Sequence, residues 1–286
     1  MRYAWIAEHS QEYGIEAMCR VLGVARSGYY AWKEHAPSAR ERANQVLVEE
    51  IRQEFTTSRR TYGSPRIQLA LADKQVACGR HRVARLMRQA GLRARGRRKR
   101  HPITTQRDPQ AAPAPNRLNQ DFSASAPNQK WVTDFTYIET AEGWLYLAVV
   151  LDLYSRRVIG WSMRDTMDVS LVEKALQMAL DDRQPAPGLL HHSDQGSQYT
   201  AEAYLTCLRE AKSLLSMSRV GNCYDNAVAE SFFATLKAEC VTGSFPTRAQ
   251  ARTTIFEYLE VWYNRHRLHS SLGYCSPVDF ENKFSL

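Results

Sequence analysis

Trp131-Val132-Thr133-Asp134-Phe135-Thr136-Tyr137-Ile138 is a run of β-branched and aromatic residues with one acid in its middle. That composition predicts a strand over 130–138. Side chains alternate along a strand, so Asp134 shares a face with Val132, Thr136 and Ile138. A charge in the middle of a buried strand is costly unless something compensates it. Asp134 is therefore the first candidate for chemistry.

Working outward, further strands are expected at 144–152 and 157–164, a helix near 170–183, a strand at 188–193, a helix near 200–211 and a short strand at 213–217. A helix from Asn226 to Glu239 and another over about 247–266 complete the region. Three strands in close succession, followed by alternating helix and strand, fit a mixed sheet flanked by helices. Trp144 and Gly160 read as packing residues within it.

Two more acids stand out in this frame. Asp194 follows Leu189-Leu190-His191-His192-Ser193 at a strand end and opens the loop Gln195-Gly196-Ser197. Glu230 lies on the predicted helix that puts Phe232, Phe233 and Leu236 on its apolar side. Hard divalent cations such as Mg²⁺ take oxygen ligands and keep waters and phosphate oxygens in their shell. Two such ions about 3.5–4 Å apart stabilise both the attacking and the leaving oxygen of a phosphoryl transfer. Asp152, at the end of an apolar strand, is the competing acid. Asp225 reads as a helix cap or loop residue. His191 and His192 flank the site either as partners of a ligand or as packed residues.

Trp131 to Ile138, His192-Ser193-Asp194-Gln195-Gly196-Ser197-Gln198-Tyr199, and Ser218-Arg219-Val220-Gly221-Asn222-Cys223-Tyr224-Asp225-Asn226-Ala227 followed by Glu230-Ser231-Phe232-Phe233 resemble the transposases of bacterial insertion sequences. More narrowly, they resemble the OrfB-type catalytic product of insertion sequence family three. The C-terminal stretch Trp262-Tyr263-Asn264, Arg267, His269, Leu272-Gly273-Tyr274 and Ser276-Pro277 fits the same pattern. The resemblance implies an α/β RNase H-like core similar to retroviral integrase, preceded by a small all-α helix-turn-helix region. It implies a DDE set of Asp134, Asp194 and Glu230 as catalytic metal ligands, with thirty-five residues between the last two, and a DNA-contacting Lys237 seven beyond. It also implies Mg²⁺, two ions with Mn²⁺ able to substitute, and metal-dependent cleavage followed by 3′-hydroxyl strand transfer. The expected partners are double-stranded DNA (terminal inverted repeats and target), further copies of the chain on that DNA, and an upstream OrfA-type segment as fusion or partner. The implied setting is the bacterial cytoplasm, at the nucleoid.

The 286 residues carry a net charge of +8, which points to a polyanionic partner. From Arg80 to Arg100 there are ten Arg or Lys and no Asp or Glu. Solvated faces usually mix signs, so Arg82, Arg85, Arg93, Arg95, Arg97, Arg98, Lys99 and Arg100 are candidate DNA contacts. Cys19, Cys78, Cys207, Cys223, Cys240 and Cys275 form no C-x-x-C pair, against a disulfide framework and for a reducing compartment. The most apolar strand is interrupted by Asp152, which argues against a membrane span.

Four segments are expected: a helix-turn-helix-like unit at 1–45, a helical DNA-binding unit with a basic tail at 46–100, an extended or mobile linker at 101–128, and the core at 129–286. In the first, Ile15 to Lys33 reads as two helices around Gly23, aiming Arg26, Ser27 and Tyr29 at DNA, with a plain helical hairpin as the alternative. In the second, Val83, Leu86 and Met87 are spaced as core. Two rival functions stay open at this point: a DNA-binding regulator with a silent core, and an RNase H-like nuclease without strand transfer.

Overall fold

The computed structural model describes residues 1–34, 38–96, 113–219 and 222–284. Helices α1 (Arg2–Glu8), α2 (Ile15–Val21) and α3 (Arg26–Glu34) close around Ile6, Met18, Cys19 and Tyr29. Gly23 makes the turn between α2 and α3 with a positive φ of 63°, which a side chain would strain. Tyr29, expected at DNA, is fully buried in this small core instead. Its ring meets Tyr3 from α1, a helix too short and mixed to stand out by periodicity.

Helix α4 (Ala39–Thr57) is longer than its apolar spacing indicates because a capping box starts it early. Ser38 Oγ accepts from the Glu41 N–H, and Glu41 accepts from the Ser38 N–H. Helices α5 (Ser64–Asp73), with Pro65 in its first turn, and α6 (Arg80–Gln89) follow. Val83, Leu86 and Met87 are buried as their spacing predicts. This unit is docked on the rest of the chain. The Tyr62 hydroxyl donates to the His266 carbonyl at 3.2 Å and accepts from the Leu268 N–H at 2.7 Å. The Tyr62 ring lies 5.7 Å from that of Trp262, and Arg59 pairs with Glu257 at 2.7 Å.

The sheet holds β1 (Lys130–Thr140), β2 (Gly143–Asp152), β3 (Val158–Arg164), β4 (Leu190–Ser193) and β5 (Leu214–Met217) in the order β3-β2-β1-β4-β5. β1, β2 and β3 pair antiparallel, whereas β4 pairs parallel with β1 and β5 parallel with β4. Parallel pairing needs helical crossovers, here α7 (Val169–Arg183), and α8 (Ser197–Thr200) with α9 (Glu202–Glu210). The sheet is covered on both faces. Trp131, Ala148 and Val150 pack with Leu176, Tyr204 and Leu208. Val132, Leu147 and Val149 pack with Phe232 and Leu236 of α10 (Ala227–Glu239) and Ile255 of α11 (Arg248–Phe256). A π-helical stretch, Glu257–Tyr263, continues α11, and α12 (Pro277–Phe284) ends the fold. The architecture is an RNase H-like mixed sheet flanked by helices.

Gly160 is the packing residue its sequence setting suggests. A Cβ there would sit 2.1 Å from the Ala175 carbonyl oxygen and 2.8 Å from the Ala179 Cβ. Gly160→Ala is expected to push α7 off β3 and destabilise the protein by about 1–3 kcal/mol; a melting temperature equal to wild type would refute this close contact. Trp144, by contrast, is 52% exposed and touches the fold through its edge-on contact with Tyr137.

The described half of the expected linker, residues 113–128, is irregular, with turns at 118–120 and 125–128, and is held down. Leu118 is buried, and the Arg117 and Leu118 N–H groups donate to Ser216 Oγ. Polar composition suggested a loose tether; the hydrogen bonds that pin it come from residues about a hundred positions later, which local sequence does not reveal.

Candidate active site

Asp134 lies on the β1 face that α10 covers, beside Val132 and Ile138. The parallel register pairs Val132 with His192. Carried two residues on, it sets Asp134 level with Asp194, and neighbouring strands stand about 4.8 Å apart. Glu230 sits in the first turn of α10, whose Ala229, Phe232, Phe233 and Leu236 are buried against the sheet. Three separate elements thus bring the three acids to one end of the sheet.

Their charges register on one another. The Asp134 carboxyl is pushed well above the ordinary carboxylate range, first by desolvation, then by Asp194, with Glu230 adding to the rise. The Phe135 N–H, donating to Asp134 Oδ1 at 2.8 Å, and the Lys237 ammonium act in the opposite sense. Tyr199, fully buried, has its hydroxyl pushed up by desolvation and then by both Asp134 and Asp194. Asp194 is held by its own loop, since the Gly196 N–H donates to Asp194 Oδ1 at 2.9 Å. A Cβ at position 196 would lie 3.0 Å from that oxygen, so the glycine lets the backbone approach the carboxylate closely.

The donor set fits a divalent cation. It is oxygen-only and acidic, and the repulsion from Asp194 and Glu230, which adds to desolvation in raising Asp134, is what a bound cation would offset. Among the described residues, no three or more His, Cys, Asp or Glu side chains are gathered into a group that could hold a metal ion as they stand, and Glu230 is exposed at its helix end.

Asp152, the competing acid, is fully buried and structural. It accepts from the Asn128 and Tyr154 N–H groups at 2.7 Å each, with Arg183 3.9 Å away. Asp225 does more than the expected capping. It is fully buried and accepts five hydrogen bonds: from the Arg219 N–H, Nε and Nη2, from Asn116 and from Gln120. They hold its carboxyl far below the usual range, Arg219 contributing most. His191 and His192 are buried inside the sheet, and burial lowers them to about 3 and about 4. His192 Nδ1 meets Ser216 Oγ at 2.8 Å and Nε2 meets Ser218 Oγ at 3.1 Å. Both are packed groups, His191 meeting the Tyr204 hydroxyl at 3.2 Å. Arg267 and His269 are also buried; Arg267 pairs with Glu239 at 2.7 Å.

Of the candidate DNA contacts, Lys237 is exposed on α10. Arg26 and Ser27 are exposed at the start of α3, with Arg26 within 3.8 Å of Glu16. Arg85, Arg93 and Arg95 are exposed, while Arg82 is half-buried and donates to Asn44 at 3.0 Å. Arg97, Arg98, Lys99 and Arg100 lie outside the described residues.

Sheet order, strand directions and the placement of the acids define an integrase-type member of the RNase H-like class. The integrase core domain family matches residues 124–223, a second integrase core domain family matches 212–277, and an HTH-like domain matches 41–100. The last falls on α4–α6 and the basic stretch, not on α2 and α3. The chain is 46% identical over 286 residues to transposase InsF for insertion sequence IS3A of Escherichia coli (strain K12), covering 99% of each. It is 46% identical over 268 residues to an uncharacterised 31 kDa protein of insertion element IS600 from Shigella sonnei, covering 93% of this chain and 98% of that one. A simian T-cell lymphotropic virus intasome, solved with PP2A regulatory subunit B56 gamma, aligns at 12% identity and a TM-score of 0.47, covering 81% of this chain and 74% of that one. The chain belongs to the family of IS3 insertion-sequence transposases.

Proposed function

We propose that this transposase cuts a phosphodiester at an element end and joins the resulting 3′-hydroxyl to a second DNA, with Asp134, Asp194 and Glu230 holding the metal. The observation that carries the reading is the convergence of three carboxylates delivered by β1, the end of β4 and α10, near enough that Asp194 and Glu230 add to the rise of the Asp134 carboxyl. When bound, Mg²⁺, as two ions, would supply charge neutralisation at the transferring phosphate. The protein supplies position: the Phe135 and Gly196 N–H groups fix two of the carboxylates. Lys237 lies seven positions after Glu230, about two helical turns, so both present on one side of α10 roughly 10 Å apart. Glu230 then faces metal while Lys237 takes a phosphate.

The DNA is held outside the core. Arg85, Arg93 and Arg95, with the further basic residues up to Arg100, suit a phosphate track, whose affinity is salt dependent and largely sequence independent. Arg26 and Ser27 at the start of α3 offer a second contact. Further copies of the chain on DNA and an upstream OrfA-type segment complete the assembly, in the bacterial cytoplasm. No described helix is long and apolar enough to cross a membrane.

Strand transfer separates this reading from a nuclease or a silent regulator. A transposase holds a second phosphodiester in line with the new 3′-hydroxyl, replacing a bimolecular encounter with a local one. With Mg²⁺, and the upstream segment supplied, a pre-cleaved end bearing a 3′-hydroxyl is expected to appear in joined products, and a 3′-deoxy end is not. Nicking without joined product would leave the nuclease; binding without either would leave the regulator.

A further inference from the structure

Residues 113–122 form a strap against the core. It runs without regular secondary structure between the basic stretch and β1, yet makes two polar attachments, one to the turn that leads into the helix bearing Glu230 and one to β5, the neighbour of the strand that ends before Asp194. The first is Asp225, five residues before Glu230. Asn116 Nδ2 donates to Asp225 Oδ2 at 2.9 Å, and Gln120 Nε2 donates to Oδ1 at 3.0 Å. Arg219 grips both oxygens from the other side. The second attachment is Ser216 on β5, whose hydroxyl oxygen accepts from the Arg117 and Leu118 N–H groups at 2.9 and 3.1 Å. Ser216 also meets His192, two residues before Asp194.

A fully buried carboxylate is stable only when its lone pairs are filled. Removing both strap donors would take away two of the five hydrogen bonds to Asp225, leave those from Arg219 in place and open the carboxylate to water, so the lead-in to α10 would lose its tie to the strap and gain freedom to move. Asn116 is half-buried and Gln120 exposed, so neither side chain is part of the hydrophobic core. Their role is directional, and the direction is toward the helix that carries Glu230.

We propose that Asn116 and Gln120 are positioning residues: through Asp225 they lock the start of α10 so that Glu230 meets Asp134 and Asp194 in one frame. This rests on the acidic set being the catalytic one. It predicts a loss in turnover without a matching loss in DNA affinity, because the strap acts on Glu230 and not on the phosphate track.

The test compares the Asn116→Ala, Gln120→Ala double variant and Asn116→Asp with wild type, and with Ser125→Ala as a control from the same stretch. Hydrogen exchange of amides 224–232, without DNA or metal, is expected to speed up about tenfold or more in the double variant, since hydrogen bonds to charged groups are the strong ones. Asn116→Asp, which sets a second carboxylate against Asp225, is expected to speed it at least as much. Ser125→Ala is expected to match wild type. In joining assays the double variant is expected to lose about tenfold in kcat with KM for the DNA end within about twofold, the pattern of lost transition-state positioning. Unchanged exchange overturns the proposal, as does a fall in kcat accompanied by an equal fall in affinity and melting temperature. If wild type itself fails to join DNA, the reading of the site falls, while the exchange experiment still decides whether the strap locks α10.

Discussion

Asp134→Asn, Asp194→Asn and Glu230→Gln are each expected to lower cleavage and joining by about a thousandfold or more, because a metal ligand contributes several kcal/mol of transition-state stabilisation and each 1.4 kcal/mol is a factor of ten. Every substitution removes an ionised oxygen and changes volume little, so DNA affinity is expected to stay within a few fold. The fold offers an internal control. The Asp134 carboxyl is raised well above its ordinary value by desolvation and then by its acidic neighbours. A raised folded-state pKa in an acid means that ionisation opposes folding, so stability from this group is lost as pH climbs above the ordinary carboxylate range. Asp134→Asn removes that opposition. Without metal, at neutral pH, the variant is expected to melt no lower than wild type. Loss of activity with a preserved or higher melting temperature identifies the residue as chemical; activity within tenfold of wild type in Mg²⁺ removes it from the site.

Much of this was legible in the sequence because the signals were local. The strand around Asp134 declares itself by composition, and Glu230 sits where a helix with Phe232, Phe233 and Leu236 on one side must turn. The thirty-five-residue interval between Asp194 and Glu230 needs no folding calculation to count. The family's ordered motifs then single out these acids from the rest.

What stayed hidden depends on pairing across long separations. Asp225 reads as a cap because its partners at 116 and 120 are over a hundred residues away, and its burial has no local signature. Glu281 is similar. It looks like a surface acid on a short helix, but it accepts from Ser155, Arg157 and Arg183. Tyr29 reads as a DNA contact because it follows Arg26 and Ser27 on the second helix of the expected helix-turn-helix, whereas α1, invisible to periodicity at seven residues, covers it. Docking of α4–α6 through Tyr62 depends on backbone groups of His266 and Leu268, which no side-chain pattern encodes.

Arg267→Ala is expected to cost about 3–5 kcal/mol of stability, the largest effect outside the acidic site, because it breaks a buried ion pair by removing one partner. Arg267 and Glu239 have side chains only 6% and 7% exposed. Nε donates to Glu239 Oε1 and Oε2 at 3.1 and 2.9 Å, and Nη2 donates to Oε1 at 2.7 Å. Tyr258 fills the remaining acceptor capacity, its hydroxyl donating to Oε2 at 2.9 Å. Burial by itself would lower the Arg267 pKa, but the hydrogen bonds to Glu239 more than reverse it. Without the guanidinium, Glu239 would be a buried charge with one neutral donor, at the C-terminal end of the helix whose first turn carries Glu230. Arg267→Lys is expected to recover only part of the loss, since an ammonium cannot reproduce the planar fork. Arg267→Met combined with Glu239→Met, which removes both charges and keeps volume, is expected to be far milder than Arg267→Ala, because an apolar pair pays no desolvation penalty. The measurement is urea unfolding of Arg267→Ala and Arg267→Lys, and of Arg267→Met and Glu239→Met singly and together. A double variant as unstable as the sum of the singles would show that the two side chains do not act as a pair, and a wild-type midpoint for Arg267→Ala would show that the buried fork contributes nothing.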